Sequence, residues 1–239
     1  MITEPQLTEI RNYLLSKQLP IDILIEVEDH FVSQINDFQN HEQLDFNQAF
    51  EKTKNSWQNE LKPYWNGSLS LEDVSDFMRK VRKENETSNL LFALNWSVLP
   101  LIMIFAGLLL FDAEKFGIFT VSILIAMEIA VFINYLHHYQ DFKLVKKYPN
   151  YTLTWHQHSI FIFIIILSPT INILESFLNS PEKYQNFLLL KGSVSEFIFT
   201  LLPILLLIFG SLFSYSSQKN YLRQIQKVKP YLKHLKLSN

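Results

Sequence analysis

Four apolar runs, each long enough to cross a lipid bilayer, constrain this chain more than any other feature. They extend from Leu90 to Phe111, Phe116 to Leu136, Ser159 to Phe177 and Val194 to Tyr215. About 20 consecutive apolar residues match the hydrocarbon thickness of a membrane. In lipid, only helices and closed barrels satisfy every backbone polar group. The pattern therefore predicts an all-α chain with a four-helix transmembrane domain over residues 90–215. The whole-chain average of 48% hydrophobic and 18% charged residues looks like that of a soluble protein because two unlike parts are being averaged.

Charge separates those parts. Residues 1–89 hold 16 of the 23 Asp and Glu residues against 9 Lys or Arg, a formal charge of about −7, while the remainder carries about +5. Such an acidic first part argues against nucleic acid as a direct ligand, because phosphate contacts need Lys and Arg. Cysteine is absent, which excludes disulfides, thiolate nucleophiles and Cys-based metal or iron–sulfur sites. The opening MITEPQLTEIRNYLL lacks a basic region followed by a short apolar core, so no cleavable signal is expected and the first span is read as the insertion signal.

Residues 1–66 read as a three-helix bundle. Thr3 with Gln6 forms a capping box ahead of Leu7, Ile10 and Leu14, and Leu19-Pro20 makes the turn into a second helix striped by Leu24, Val27, Phe31, Ile35 and Phe38. Asp45 with Gln48 opens a third helix carrying Phe46, Ala49, Phe50, Trp57 and Leu61. After the turn KPYWNG, Ser70 is positioned to cap LEDVSDFMRKVRKENE, a charged connecting helix in the stretch 67–89. Arg79, Lys80, Arg82 and Lys83 precede the first span, Lys143, Lys146 and Lys147 lie between spans two and three, and six basic residues follow span four. The positive-inside rule then puts both termini and the second loop in the cytoplasm. In the basic tail, 216–239, the interrupted apolar side of Leu222, Ile225, Leu232 and Leu235 suits the inner leaflet.

The segments EIRNYLLSKQLPIDILIEVEDHFVSQI and FNQAFEKTKNSWQNEL carry a resemblance. With Leu19-Pro20 before the second helix, Asp29-His30-Phe31 within it, and Phe46, Ala49 and Phe50 opening the third, residues 1–65 resemble the HAAS-type N-terminal signalling domain of small bacterial membrane proteins. Asn55-Ser56-Trp57 stands where that family has Gly-x-Pro. The resemblance implies a bacterial inner-membrane protein with a regulatory, partner-binding role. The implied partner is a cytosolic protein, such as a PadR-like winged-helix regulator, and Glu28, Asp29 and His30 are the candidate contact residues.

Within the spans Glu128 stands out, because a carboxylate near the bilayer centre costs on the order of 3 kcal/mol on insertion scales. On its helix Ser122, Ala126, Ala130 and Asn134 form a small-residue strip roughly 200° away, so this helix is expected to be contacted on both sides, by bundle neighbours or by a second subunit. Ser168, Asn172, Glu175 and Asn179 line one face of the third span, and a polar stripe is expected to face protein or water. Thr200, Pro203, Gly210 and Ser214 of the fourth span are suited to meet it. Ser193 and Glu196 form a third capping box. His137, His138, His156 and His158 gather at the inner ends of spans two and three, without the spacing of a zinc-protease motif.

No Gly-rich phosphate loop or Gly-x-Ser-x-Gly elbow occurs. The chain is therefore read as non-enzymatic, with no cofactor, acting through a partner-binding helical domain. The alternative is a small ion or proton conductor that uses Glu128, and a homo-oligomer is compatible with either.

Overall fold

The computed structural model describes residues 2–64, 67 and 73–235. The described residues form helices α1 (Glu4–Leu15), α2 (Ile21–His41), α3 (Phe46–Leu61), α4 (Asp76–Leu110), α5 (Ala113–His137), α6 (Tyr139–Phe142), α7 (Leu144–Lys147), α8 (Ile162–Asn179), α9 (Pro181–Leu188) and α10 (Val194–Val228). Only one isolated antiparallel bridge, Tyr64 with Val74, interrupts this all-α character among them. Four helical segments are long and apolar enough to cross a membrane: Asp76–Leu110, Ala113–His137, Trp155–Asn179 and Val194–Val228. They project Leu109, Ile165 and Phe199 outward at 75% exposure or more, a surface that water penalises and lipid does not. The chain is a multi-pass membrane protein.

The caps read from sequence define helix starts as expected. The Asp45 side chain accepts from Gln48 N at 2.9 Å while Gln48 Oε1 accepts from Asp45 N at 3.3 Å. Ser193 and Glu196 exchange the same pair of bonds at the start of α10, and Gln6 accepts from Thr3 N. Helix α4 starts at Asp76, where Ser75 Oγ accepts from Met78 N. The turn residues Trp65 and Asn66 and the expected cap Ser70 lie outside the described residues.

The chain divides into two compact units. One comprises 1–86, 143–157 and 223–239, the other 87–142 and 158–222. The expected stripes supply the core of the first: Ile10, Leu14, Leu24, Val27, Phe31 and Ile35 are fully buried. Aromatic packing joins Tyr13, Phe31, Phe50 and Trp57, with the Phe31 and Trp57 centroids 5.4 Å apart. This unit holds more than the three N-terminal helices. The segment between spans two and three contributes Leu153, fully buried, and its Thr152 carbonyl accepts from Ile21 N at 2.9 Å. The chain after the fourth span contributes Ile225, Val228, Tyr231 and Leu232, all buried. The inner-leaflet expectation for this tail is therefore corrected, since Ile225 and Leu232 are covered by protein. With four spans, these segments necessarily fall on one side of a bilayer, so they are free to fold together.

The second unit packs Ile104, Leu108, Phe116, Leu124, Phe177 and Ile204 into one core. Close approaches occur where a side chain is missing. A Cβ on Gly117 would sit 3.0 Å from the Phe177 carbonyl oxygen and 3.1 Å from Pro181 Cβ, and one on Gly210 would sit 2.5 Å from Ile166 Cδ1. Glycine thus lets α5 approach α8 and α9, and lets α10 approach α8.

Candidate functional site

The spans are organised around a buried seam on α10. Thr200, Ile204, Leu207, Ser211, Ser214, Gln218 and Tyr221 recur alternately every four and three residues, and every one is buried. This is the spacing that keeps one helical stripe against its neighbours. Its N-terminal half is mainly apolar and its C-terminal half polar.

Glu128 meets this seam. It lies on the buried side of α5 with Val121, Leu124 and Val131, and it is 8% exposed. Ser211 Oγ is 2.6 Å from Glu128 Oε1 and 2.6 Å from the Leu207 carbonyl oxygen. The Ser211 hydroxyl donates toward both acceptors and can share its single proton between the Glu128 carboxyl and the Leu207 carbonyl. Among the described residues, Glu128 Oε2 and the hydroxyls of Thr120 and Ser214 have no hydrogen-bond partner.

Farther along α10 the polar groups are joined. Asn134 Nδ2 donates to Gln218 Oε1 at 2.8 Å, and Gln218 Nε2 donates to the Ile160 carbonyl at 3.3 Å. Asn89 Oδ1 accepts from Ser216 Oγ at 2.8 Å and from Asn220 Nδ2 at 2.6 Å. Asn89, Ser211, Gln218 and Asn220 were not anticipated from sequence. A signal for one of them was present: Gln218 continues the α10 periodicity past Tyr215, where the apolar run stops. Helix and hydropathy end at different places because a helix held by neighbours needs no apolar composition.

Two polar or small-residue faces read from sequence are left uncovered by the chain's own described helices. Ser168, Asn172, Glu175 and Asn179 are exposed on α8, and α8 turns Phe163, Ile166, Thr170 and Phe177 toward the bundle. The polar row sits two positions round from that inner row, on the far side of the helix. Thr200 and Ser214 of α10 are buried elsewhere and do not face it. On α5, Ser122, Ala126 and Ala130 are exposed while Asn134 is half-buried, so among the described residues the strip is covered at its C-terminal end alone.

In the first unit, the three candidate contact residues part company. Glu28 is 7% exposed and is occupied within the chain. Its carboxylate accepts from Arg11 Nε at 3.0 Å and from the Tyr231 hydroxyl at 3.1 Å, and the Arg11 guanidinium lies 5.3 Å from the Tyr231 ring centroid. Burial, together with the Glu28 carboxylate, holds the Tyr231 phenol well above the usual tyrosine range. As a contact residue Glu28 is therefore corrected to a tie between α1, α2 and the C-terminal segment. Asp29 and His30 are exposed, as are Glu26, Ser33 and Asp37 on the same side of α2, which leaves an acidic outer face.

Asp22 joins α2 to the segment between spans two and three. Its carboxylate accepts from Ile23 N at 3.0 Å and Trp155 N at 3.3 Å, while its own N–H donates to the Leu153 carbonyl. Burial outweighs those amide bonds and raises its carboxyl to about 6. Between about pH 4 and 6 the folded chain thus keeps a proton that the unfolded chain has released. Stability of this junction is expected to fall as pH rises through that window, by up to about 3 kcal/mol. Hydrogen exchange at the start of α2, compared at pH 4.5 and 7, reads it directly. An equal pH response in Asp22→Asn would remove Asp22 as the cause.

The histidines are dispersed in environment. His156 is buried, His137 and His158 are exposed, and the rings of His137 and His138 meet edge to face at 4.7 Å. No group of three or more potential metal-ligating side chains is assembled among the described residues. Comparison with protein-family models, with curated proteins and with solved structures gave no match.

Proposed function

We propose that this membrane protein is a non-enzymatic signalling or regulatory component of the bacterial inner membrane, with both termini cytoplasmic. Its first unit would bind a cytosolic protein and couple that partner to the spans. One observation carries this reading: α4 and α10, two of the four spanning helices, continue without a break into residues that belong to the first unit. A shift of a spanning helix along or about its axis therefore reaches the partner-binding unit through unbroken backbone, a recognised way of passing a switch.

The acidic outer face of α2, with Glu26, Asp29 and Asp37, is the docking surface this reading selects, for a partner with a basic patch. A PadR-like winged-helix regulator, implied by the resemblance of residues 1–65 to HAAS-type domains, fits that description. The test uses full-length protein crosslinked in its native membrane. Reversing Glu26, Asp29 and Asp37 to Lys leaves the core untouched and is expected to remove a specific soluble partner that wild type retains. An identical partner set would sink the proposal. Deleting residues 1–65 is a poorer test, because it strips Leu153 and Tyr231 of the helices they pack on.

A second reading rests on the unpartnered Glu128 Oε2 inside the polar seam. A carboxyl with one oxygen uncommitted is suited to exchanging a proton or binding a cation. Purified protein in liposomes would then conduct, and Glu128→Gln would reduce the flux. Equal flux in both excludes it.

A further inference from the structure

The outward face of α8 is the least explained surface of the second unit. Ser168, Asn172, Glu175 and Asn179 are exposed along it, and Ile165, one step earlier in the same row, is 75% exposed. The row advances alternately by three and four residues, the repeat that keeps a seam facing a neighbouring helix. Pro169 sits inside α8 and has no N–H to offer the Ile165 carbonyl, so the backbone adds an acceptor to the same face. Hydrocarbon offers these groups nothing to bond.

We propose that a second copy of this chain covers the face, with two α8 helices packed side by side about a two-fold axis parallel to the membrane normal. The chemistry of the row selects this occupant. An asparagine amide both donates and accepts, and so does a serine hydroxyl, so a row built from them is complementary to itself. A two-fold interface demands such self-complementarity, because the same patch is presented by both subunits. Asn172 then pairs with Asn172 of the second copy. Glu175 meets Glu175 of the second copy at the same depth, with Asn172 and Asn179 of both helices one turn to either side to donate to the carboxyls. Ser168 is small, as residues at close helix crossings in membranes are. The bundle-facing row of Phe163, Ile166, Thr170 and Phe177 is untouched by this contact.

The absence of cysteine makes the proposal direct to test. Single substitutions Ser168→Cys and Asn172→Cys in the full chain are oxidised in native membranes, and Leu206→Cys, equally outward on α10 at 60% exposure, is the control. Across the proposed axis the two Cα atoms come within the roughly 7 Å that a disulfide allows. Covalent dimers of the chain are expected from both α8 positions and not from Leu206→Cys. Adding Asn172→Leu to Ser168→Cys is expected to weaken association about tenfold, read as a lower dimer yield on dilution with lipid. Three results would each overturn the proposal. They are α8 positions that crosslink no better than the control, products containing a different protein, or a yield indifferent to Asn172→Leu.

Discussion

Replacing Arg11 with alanine is expected to destabilise the first unit by about 3 kcal/mol and to release the C-terminal segment. The magnitude follows from what stays behind. Glu28 has a side chain 9% exposed, and after the change its remaining partner among the described residues is the Tyr231 hydroxyl. Removing one member of a buried ion pair typically costs 3–5 kcal/mol, because the surviving charge keeps its desolvation penalty without compensation. Arg11 is itself 20% exposed, which places this pair at the lower end of that range. The guanidinium also lies over the Tyr231 ring, so the packing of that ring is lost as well. Glu28→Gln should be milder, since an amide oxygen still accepts from Arg11 or Tyr231 while Arg11 reaches water. Urea titration with hydrogen exchange read separately over α1 and residues 223–235 distinguishes these outcomes. If Arg11→Ala unfolds neither segment earlier than the surface change Glu9→Ala, the three-way tie has no energetic weight.

Tyr221→Ala carries the second large effect, a loss of about 3–5 kcal/mol in the second unit. Tyr221 is fully buried, its ring lies 5.1 Å from that of Phe142, and its hydroxyl donates to the Asp141 carbonyl at 2.9 Å. Truncation would leave a cavity where α10 meets α6 and would deprive a backbone carbonyl of its donor. Tyr221→Phe keeps the ring and drops only the hydrogen bond, so about 1 kcal/mol is expected from it. Denaturation in mild detergent, followed by exchange of the amides in α5 and α6, measures both. Equal effects from the two substitutions would show that the hydroxyl rather than the ring matters. Two negligible effects would show that the C-terminal part of α10 is not the support assigned to it.

These predictions concern residues whose roles depended on distant partners. Glu28 reads from sequence as one more acidic residue on an acidic helix, and it bonds a tyrosine 203 positions away. Glu128 was visible as a carboxylate in a span, but its partner lies 83 positions on, in a run with many equivalent serines and leucines. The polar row of α8 was also visible as a row. Its direction was not, because an alternation of polar and apolar residues gives the angle between two faces and leaves open which face meets the bundle.

Sequence by itself determined the local events. The capping boxes at Asp45 and Ser193, the apolar stripe of α2, and four runs of spanning length each express an interaction completed within a few turns of one helix or between one helix and its solvent. Tertiary structure alone decided what covers each face: the segment between spans two and three and the C-terminal segment on the N-terminal helices, Ser211 on Glu128, and no described segment on the α8 row. Periodicity encodes a residue's angle around its own axis. Which neighbour stands at that angle is set by close packing among elements far apart in the chain.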